Sequence, residues 1–204
     1  MYKILKGYGV KPIELFKNHQ LLRQIQDEVR KSDAPTSAKV RIMYFKDLHE
    51  RVPRKEMDKH VKFITSTVKT AIAVGSYRRG AESSRDIDII VREPIGVALS
   101  KLGKYVKNVV SSGKVKATVV VALPKGKHRL LDILKTSSTA HPFAMLYMTG
   151  SKRFNIVMRL KAKKKGLKLN ELGLFDDHQL VPNLKTERDV FKALDMEYVP
   201  PEKR

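Results

Sequence analysis

The stretch Gly75-Ser76-Tyr77-Arg78-Arg79-Gly80, followed by Arg85-Asp86-Ile87-Asp88, constrains the fold more than any other part of the chain. An apolar run, residues 71–74, leads into it, and Ile89-Ile90-Val91 leads out. That reads as strand, tight turn, strand. Side chains alternate faces along a strand, so Asp86 and Asp88 fall on one face. Two carboxylates about 7 Å apart among apolar residues repel each other unless a cation sits between them. Hard cations suit such a place, and Mg²⁺ is commonly held by one or two protein carboxylates together with substrate phosphates. Gly75-Ser76 offers a turn whose backbone can approach an anion closely, and Ser76, Arg78 and Arg79 are phosphate donors. A phosphate-binding turn beside a metal-binding strand is the equipment of nucleotidyl transfer. An Asp-x-Asp alone would equally mark a solvated strand. The weight lies in the spacing of the two motifs between strand-like runs.

Composition narrows the partner. The 204-residue chain can bury a real core, in one domain or in two to three small subdomains. Its 42 Lys and Arg against 21 Asp and Glu leave a net charge of +21, which points to a polyanion, most simply nucleic acid. No segment approaches the roughly 18 apolar residues that a membrane span needs, and the first residues lack the apolar core of a secretion signal. The expectation is an intracellular protein with no membrane partner. The absence of cysteine excludes disulfides, thiolate catalysis and thiolate zinc sites.

Taken in order, residues 1–43 read as basic helices, with Leu21, Leu22, Ile25 and Val29 on one face and a break at residues 32–37. A second helix is expected from Ala38 to His49. Pro53 suits the first turn of a third, whose stripe is Met57, Val61, Ile64 and Val68. Beyond the central stretch, Leu99, Leu102, Val106 and Val109 have helical spacing, with Gly113 closing that helix. Residues 115–123 are rich in β-branched side chains and read as a strand. Residues 124–127 read as a turn and residues 130–134 as a strand pairing back. The sum is an α+β core, a small mixed sheet with helices on one face.

Asp132 is a lone acid inside that last apolar strand. Either it turns to water at a sheet edge, or it is a third carboxylate facing Asp86 and Asp88 from a neighbouring strand. Three such carboxylates suffice for two metal ions about 3.5–4 Å apart. Further on, residues 151–170 carry eight basic side chains and no acid, with Phe154, Val157 and Met158 as an apolar side. A run of one sign reads as a surface for a nucleic-acid backbone. Thr186-Glu187-Arg188-Asp189 matches a capping box opening a last helix, which Pro200-Pro201 ends.

Together these residues resemble the family X DNA polymerases, of the DNA polymerase beta kind. The resemblance rests on Tyr44-Phe45, on Glu50-Arg51-Val52-Pro53-Arg54-Lys55-Glu56-Met57, and on the central stretch through Ser83-Ser84 to Asp86-Ile87-Asp88. It continues in Leu131-Asp132-Ile133, Tyr147-Met148-Thr149-Gly150-Ser151, Phe154-Asn155 with Met158-Arg159, Asn170-Glu171 and Pro200-Pro201-Glu202-Lys203-Arg204. These stretches occur in family order and cover about residues 8–204. The resemblance implies a nucleotidyltransferase-type palm at residues 44–140, flanked by a helical fingers-like segment at 1–43 and an α/β thumb-like segment at 141–204. It implies that Asp86, Asp88 and Asp132 bind two Mg²⁺ ions, with Mn²⁺ as a substitute, and carry catalysis. Arg51, Gly75, Ser76, Arg79 and Arg85 would hold the triphosphate. Tyr147, Gly150 and Asn155 would line the sugar and base. Arg159 would reach the template strand, with Lys161, Lys163, Lys164 and Lys165 along the DNA backbone. The implied partners are gapped or nicked duplex DNA and dNTPs, the implied state a monomer. The implied activity is templated, short-gap DNA synthesis in base excision repair, and the alternative is template-independent addition to nucleic-acid ends.

The departures from the family pattern are specific. About 43 residues precede Tyr44, too few for the helical domain that removes 5′-deoxyribose phosphate, so a compact virus-type enzyme is the nearer analogue. The helix–hairpin–helix signature is read as absent, since Gly7-Tyr8-Gly9 has no convincing context in the sequence. Arg85 stands where many members have Gly, and Met148 where they have Phe. Lys152 and Leu172 replace an acid and an aromatic, and Leu130 replaces an arginine near the primer terminus.

Overall fold

The structure, a computed structural model, describes Leu5 and residues 7–204. Residues 1–4 and 6, which the sequence assigns to the first helical segment, lie outside the described residues. Four helices open the chain: α1 (Pro12–Lys17), α2 (His19–Lys31), α3 (Thr36–Met43) and α4 (Phe45–His49). Pro12 sits at the start of α1, where its missing N–H costs nothing. The Asn18 side chain caps α2 by accepting from the Leu21 N–H at 2.9 Å. Leu22, Ile25 and Val29 then pack with Leu5, Leu15, Ile42 and Phe45 into one apolar core. The helix expected from Ala38 to His49 is two helices, because the Tyr44 backbone (φ −101°, ψ 24°) leaves helical geometry between them.

The context denied to Gly7-Tyr8-Gly9 is present. Leu5 and Gly7 are helical, Tyr8 and Gly9 form a turn with Gly9 at φ +65°, and α1 follows. The N–H groups of Tyr8 and Val10 both return to the Leu5 carbonyl, at 3.2 and 3.1 Å. Helical residues therefore stand on both sides of the Tyr8-Gly9 turn, and the sequence missed this because Pro12–Lys17 is too short to show periodicity.

A five-stranded sheet follows, built from β2 (Ile72–Ala73), β4 (Ile87–Val91), β5 (Val106–Ser112), β6 (Lys116–Val121) and β7 (Arg129–Lys135) in the order β2-β4-β7-β6-β5. Only β4 and β7 run parallel; the other pairs are antiparallel. A separate two-residue pairing joins β1 (Val52–Pro53) to β3 (Ser83–Ser84). Pro53 precedes α5 (Arg54–Thr67) as its N-cap rather than sitting inside its first turn. Met57, Ile64 and Val68 of the expected stripe are buried, and Val61 is half-buried.

The helix expected through Val109 is a correction. Helix α7 (Ile95–Leu102) stops where Gly103 takes φ +50°, and the next seven ordered residues after a short 3₁₀ turn form β5. The spacing of Val106 and Val109 mimicked a helix, but these β-branched residues pair with β6 across a hairpin at Gly113.

The two sheet faces differ. Ile87, Ile89, Val91, Ala117, Val119, Val121, Leu131 and Ile133 point to one face and pack with Ile64, Ala98 and Leu102 of α5 and α7. The opposite face carries two apolar patches. Ile90 and Leu134 pack with Val74 and Ala144 at one side, while Val120 and Leu130 pack near Val40, Val110 and Tyr44 at the other. Between the patches lies a polar row, Asp88, Asp132 and Thr118, set by strand register. Arg129, only 2% exposed, fastens the helical segment to this sheet. It bonds Glu56 through both carboxylate oxygens at 2.6 and 2.9 Å and donates to the carbonyls of Asp47 and Glu50.

The C-terminal part contains α8 (His141–Thr149), α9 (Lys152–Lys164), a three-stranded sheet of β8 (Lys168–Leu169), β9 (Leu174–Asp176) and β10 (Gln179–Leu180), and α10 (Glu187–Ala193). Phe143, Leu146, Met158, Ala162, Leu174, Val190 and Phe191 form its core. Val157, expected on the apolar side of α9, is 47% exposed. The capping box holds: Thr186 accepts from the Asp189 N–H at 3.2 Å, and Asp189 accepts from the Thr186 N–H at 2.8 Å. The chain is thus α+β, as read from the sequence. No helix among the described residues is long and apolar enough to cross a membrane.

Candidate active site

The expected tight turn is one turn of helix, α6 (Gly75–Arg78), entered directly from β2 through Val74. Val74 donates its N–H to the Asp88 carbonyl at 2.9 Å, so the turn is stitched to β4. Gly75 adopts φ +61°, and a Cβ placed there would lie 1.9 Å from Asp88 Oδ2. Glycine is required on both counts: for the backbone angle, and for room to press the turn against the carboxylate.

Asp88 and Asp132 are direct partners in the parallel β4–β7 pair, and Asp86 precedes Asp88 by one alternation on the same side. Asp132 therefore lies in a central strand, between β4 and β6, and not at a sheet edge. Burial, and then the charges of Asp86 and Asp132, push the Asp88 carboxyl up to about 7, against the opposing pull of Lys116 and Arg79. Burial and the Asp132 charge likewise raise Asp86, and Arg85 offsets part of this. The three acids carry more negative charge than their protein neighbours compensate.

Around them the same cleft collects Gly75, Ser76 and Arg79 from the turn, and Tyr147, Gly150, Asn155 and Arg159 from α8 and α9. Ser76 Oγ lies 2.5 Å from Ser84 Oγ. Arg79 donates to the Thr149 carbonyl, bracing the turn against the end of α8. Asn155 donates to the Tyr147 carbonyl at 2.7 Å, and the Arg159 guanidinium lies 5.6 Å from the Tyr147 ring centre.

Other expected residues fall outside the cleft lining. Arg51 is held next to the serine pair by the β1–β3 pairing and donates to the hydroxyl and carbonyl of Ser83, both at 2.6 Å. Arg85 is exposed beside Asp86. Lys161, Lys163, Lys164 and Lys165 are exposed toward the far end of α9 and just beyond it, and Lys165 pairs with Asp195 at 2.5 Å. The cleft also contains residues the sequence reading did not assign to it. Lys116 stands 3.9 Å from Asp132 Oδ2, and Ser151 and Ile156 join the wall, which Met148 and Lys152, read from the sequence as departures on the nucleotide side, line as well. Lys116 shares the face of Thr118 by alternation, but its place beside Asp132 follows only from the β6–β7 register, which the sequence does not state.

The donor set suits a hard cation: oxygen ligands with excess negative charge. Among the described residues, no three His, Asp or Glu side chains are grouped so as to hold a metal ion by themselves. Asp86, Asp88 and Asp132 would hold such an ion only together with water and substrate phosphates, as one or two carboxylates commonly do for Mg²⁺.

Residues 144–204 match the family model described as DNA polymerase beta thumb. The chain is 27% identical over 239 aligned residues to DNA polymerase lambda of Rattus norvegicus, an alignment covering all of this chain and 41% of that protein. It is 30% identical over 165 residues to a Repair DNA polymerase X of African swine fever virus, covering 78% of this chain and 92% of the viral protein. With another isolate's Repair DNA polymerase X the identity is 33% over 147 residues, covering 67% and 82%. The chain belongs to the family X DNA polymerases. Its fold agrees: Leishmania infantum polymerase beta in a ternary gap complex superimposes with a TM-score of 0.81 at 26% identity, covering 90% of this chain and 80% of that one. The same protein in a ternary P/T complex gives 0.79 at 27% identity, covering 90% and 87%. In this family X chain the acid row, the glycine turn and the α8–α9 wall line one cleft.

Proposed function

We propose that this chain fills short gaps in duplex DNA during base excision repair, adding dNTPs to a primer 3′-hydroxyl by two-metal nucleotidyl transfer. The observation that carries this reading is the register of Asp88 against Asp132 beside the Gly75 turn. It sets three carboxylates within reach of one phosphate-binding backbone. Asp86 and Asp88 would hold both ions, and Asp132 the one on the primer side. When bound, the ions lower the pKa of the attacking hydroxyl and neutralise charge on the triphosphate and leaving pyrophosphate.

The chain's own residues then position the reactants. Ser76, Arg79 and Arg51 grip the triphosphate, with the N–H groups at the start of the α6 turn facing it. Asp132 orients the primer hydroxyl in line with the α-phosphorus. Tyr147, Gly150 and Asn155 frame the sugar and base, and Arg159 reaches the template strand. Such transfer depends mainly on positioning and preorganised charge. A fingers-like segment, residues 1–43, and a thumb-like one, residues 141–204, would flank a palm at 44–140. The protein works as a monomer, with the basic end of α9 along the DNA backbone. The Leishmania protein's gap and P/T complexes support this choice of substrate.

The test is primer extension with Mg²⁺ and each dNTP on gapped, nicked and template-free DNA, for the native chain and Asp132→Ala. Templated incorporation by the native chain, absent in Asp132→Ala with DNA binding retained, is expected. Equal extension without a template would replace this reading by terminal transfer. Native-like turnover in Asp132→Ala would remove that residue from the site.

A further inference from the structure

The polar row on the sheet face does not end at the aspartates. Thr118 of β6 is the antiparallel partner of Asp132, and its Oγ1 donates to Asp132 Oδ1 at 2.5 Å. Thr118 is 9% exposed, so this hydroxyl has little access to competing water. It opens the run Thr118-Val119-Val120-Val121. Valine has nearly the same shape and the same preference for a strand, so sheet formation alone gives no reason for a hydroxyl here. Val120, on the same face two residues on, packs into an apolar patch. The one hydroxyl in the run is the one opposite the third carboxylate.

We infer that Thr118 is a positioning residue for Asp132, fixing the carboxylate plane so that Oδ2 is presented to the cleft for the primer-side ion. A carboxylate on a short side chain turns readily about its last bond, and a single donor on one oxygen removes that freedom. The geometry leaves Oδ2 free of that hydrogen bond and 3.9 Å from Lys116, which lines the cleft with Asp132. Leu130, the neighbouring residue on the same face of β7, cannot serve this purpose: it has no donor and packs near Tyr44 and Val120. Among the described residues, Thr118 is the hydrogen-bond donor that Asp132 has from the sheet itself.

The inference rests on the polymerase reading, so the experiment begins with the native chain on one-nucleotide-gapped DNA, whose failure to incorporate would overturn that reading first. Thr118→Val and Thr118→Ser are then compared under single-turnover conditions at saturating Mg²⁺. Thr118→Val is expected to lower the maximal rate by about tenfold or more, the range for a hydrogen bond to a charged group, with dNTP and DNA affinities unchanged. Thr118→Ser, which keeps the hydroxyl, is expected to recover most of it. A second readout needs no turnover. On DNA ending in a dideoxynucleotide, Mn²⁺ titrated alone and followed by electron paramagnetic resonance should bind more weakly to Thr118→Val than to the native chain or Thr118→Ser. Native rate and Mn²⁺ affinity in Thr118→Val would overturn the inference. So would a loss that Thr118→Ser shares, or a fall in dNTP or DNA affinity that accounts for the slower rate.

Discussion

Arg78 and Glu187 meet through two hydrogen bonds, of 2.9 and 2.6 Å, across 109 positions of sequence. Arg78 belongs to the glycine turn and Glu187 opens α10, so this pair fixes the C-terminal part against that turn. Arg204, its side chain fully buried, donates to the same carboxylate at 2.8 Å, and Arg78 also donates to Thr149 at 2.6 Å. A carboxylate shared by two guanidinium groups, 10% exposed, is costly to disturb from one side.

Glu187→Ala should therefore destabilise the protein by about 3–5 kcal/mol, the usual cost of leaving buried charges unpaired. Burial alone would raise the Glu187 carboxyl, but Arg78 and then Arg204 hold it below its ordinary value of 4.5. A depressed folded value means stability that is present above pH 4.5 and lost as pH falls through the folded value. Thermal melting from roughly pH 2 to roughly pH 7, which spans the loss below the ordinary carboxyl value, should show an acid limb that Glu187→Gln flattens. An unchanged limb in Glu187→Gln would place the acid sensitivity elsewhere.

Gly75→Ala should abolish catalysis while sparing DNA binding. The added Cβ would overlap Asp88 Oδ2 and strain a backbone at φ +61°. A loss of about a hundredfold or more in single-turnover rate is expected, since small displacements of reacting groups cost that much. Gel shift on gapped DNA should give a native dissociation constant. Native turnover in this variant would mean that the turn and the acid strand move independently.

DNA binding should weaken steeply with salt, as expected of a chain of net charge +21. Each phosphate neutralised adds about 0.9 to the log–log slope on duplex DNA. Replacing Lys161, Lys163 and Lys164 by Gln should reduce that slope, whereas Lys165→Gln should change it less, because Lys165 already pairs with Asp195. A slope insensitive to the first three changes would make the end of α9 a merely solvated surface.

Discrimination against ribonucleotides should be modest, about a hundredfold, the limit for a pocket that rejects one added hydroxyl without a stiff wall. Met148 lines the cleft with three rotatable bonds and no rigid plane. Asn155 fixes the adjacent Tyr147 carbonyl, which is the competing wall. The ratio of kcat/KM for dCTP over CTP should rise in Met148→Phe. If it instead stays constant there and falls in Asn155→Ala, the carbonyl is the gate.

The acid triad was legible because alternation alone puts Asp86 and Asp88 together, and because one charge in the apolar run Leu130–Leu134 demands a reason. Its junction with the glycine turn was legible from spacing. Other features were not, for physical reasons. The polar role of Thr118 and the place of Lys116 depend on which residue of β6 faces which of β7, and local sequence leaves that register open. Val106 and Val109 fit two periods at once, and only the hairpin partner decides between them. Tyr8 and Gly9 make a turn followed by a helix, Pro12–Lys17, too short to announce itself.

The parallel pairing of Asp88 with Asp132 has a kinetic side. The β5–β6 and β6–β7 pairings join strands that follow one another in sequence, whereas β4 reaches β7 only after α7, β5 and β6 have been accommodated between them. Contacts that close long loops form late, and this one forces two carboxylates together as it closes. The basic helix α9 needs no such closure to present its charge. A chain caught before that step would lack the Asp88–Asp132 pair and with it the acid row, whatever else had already folded.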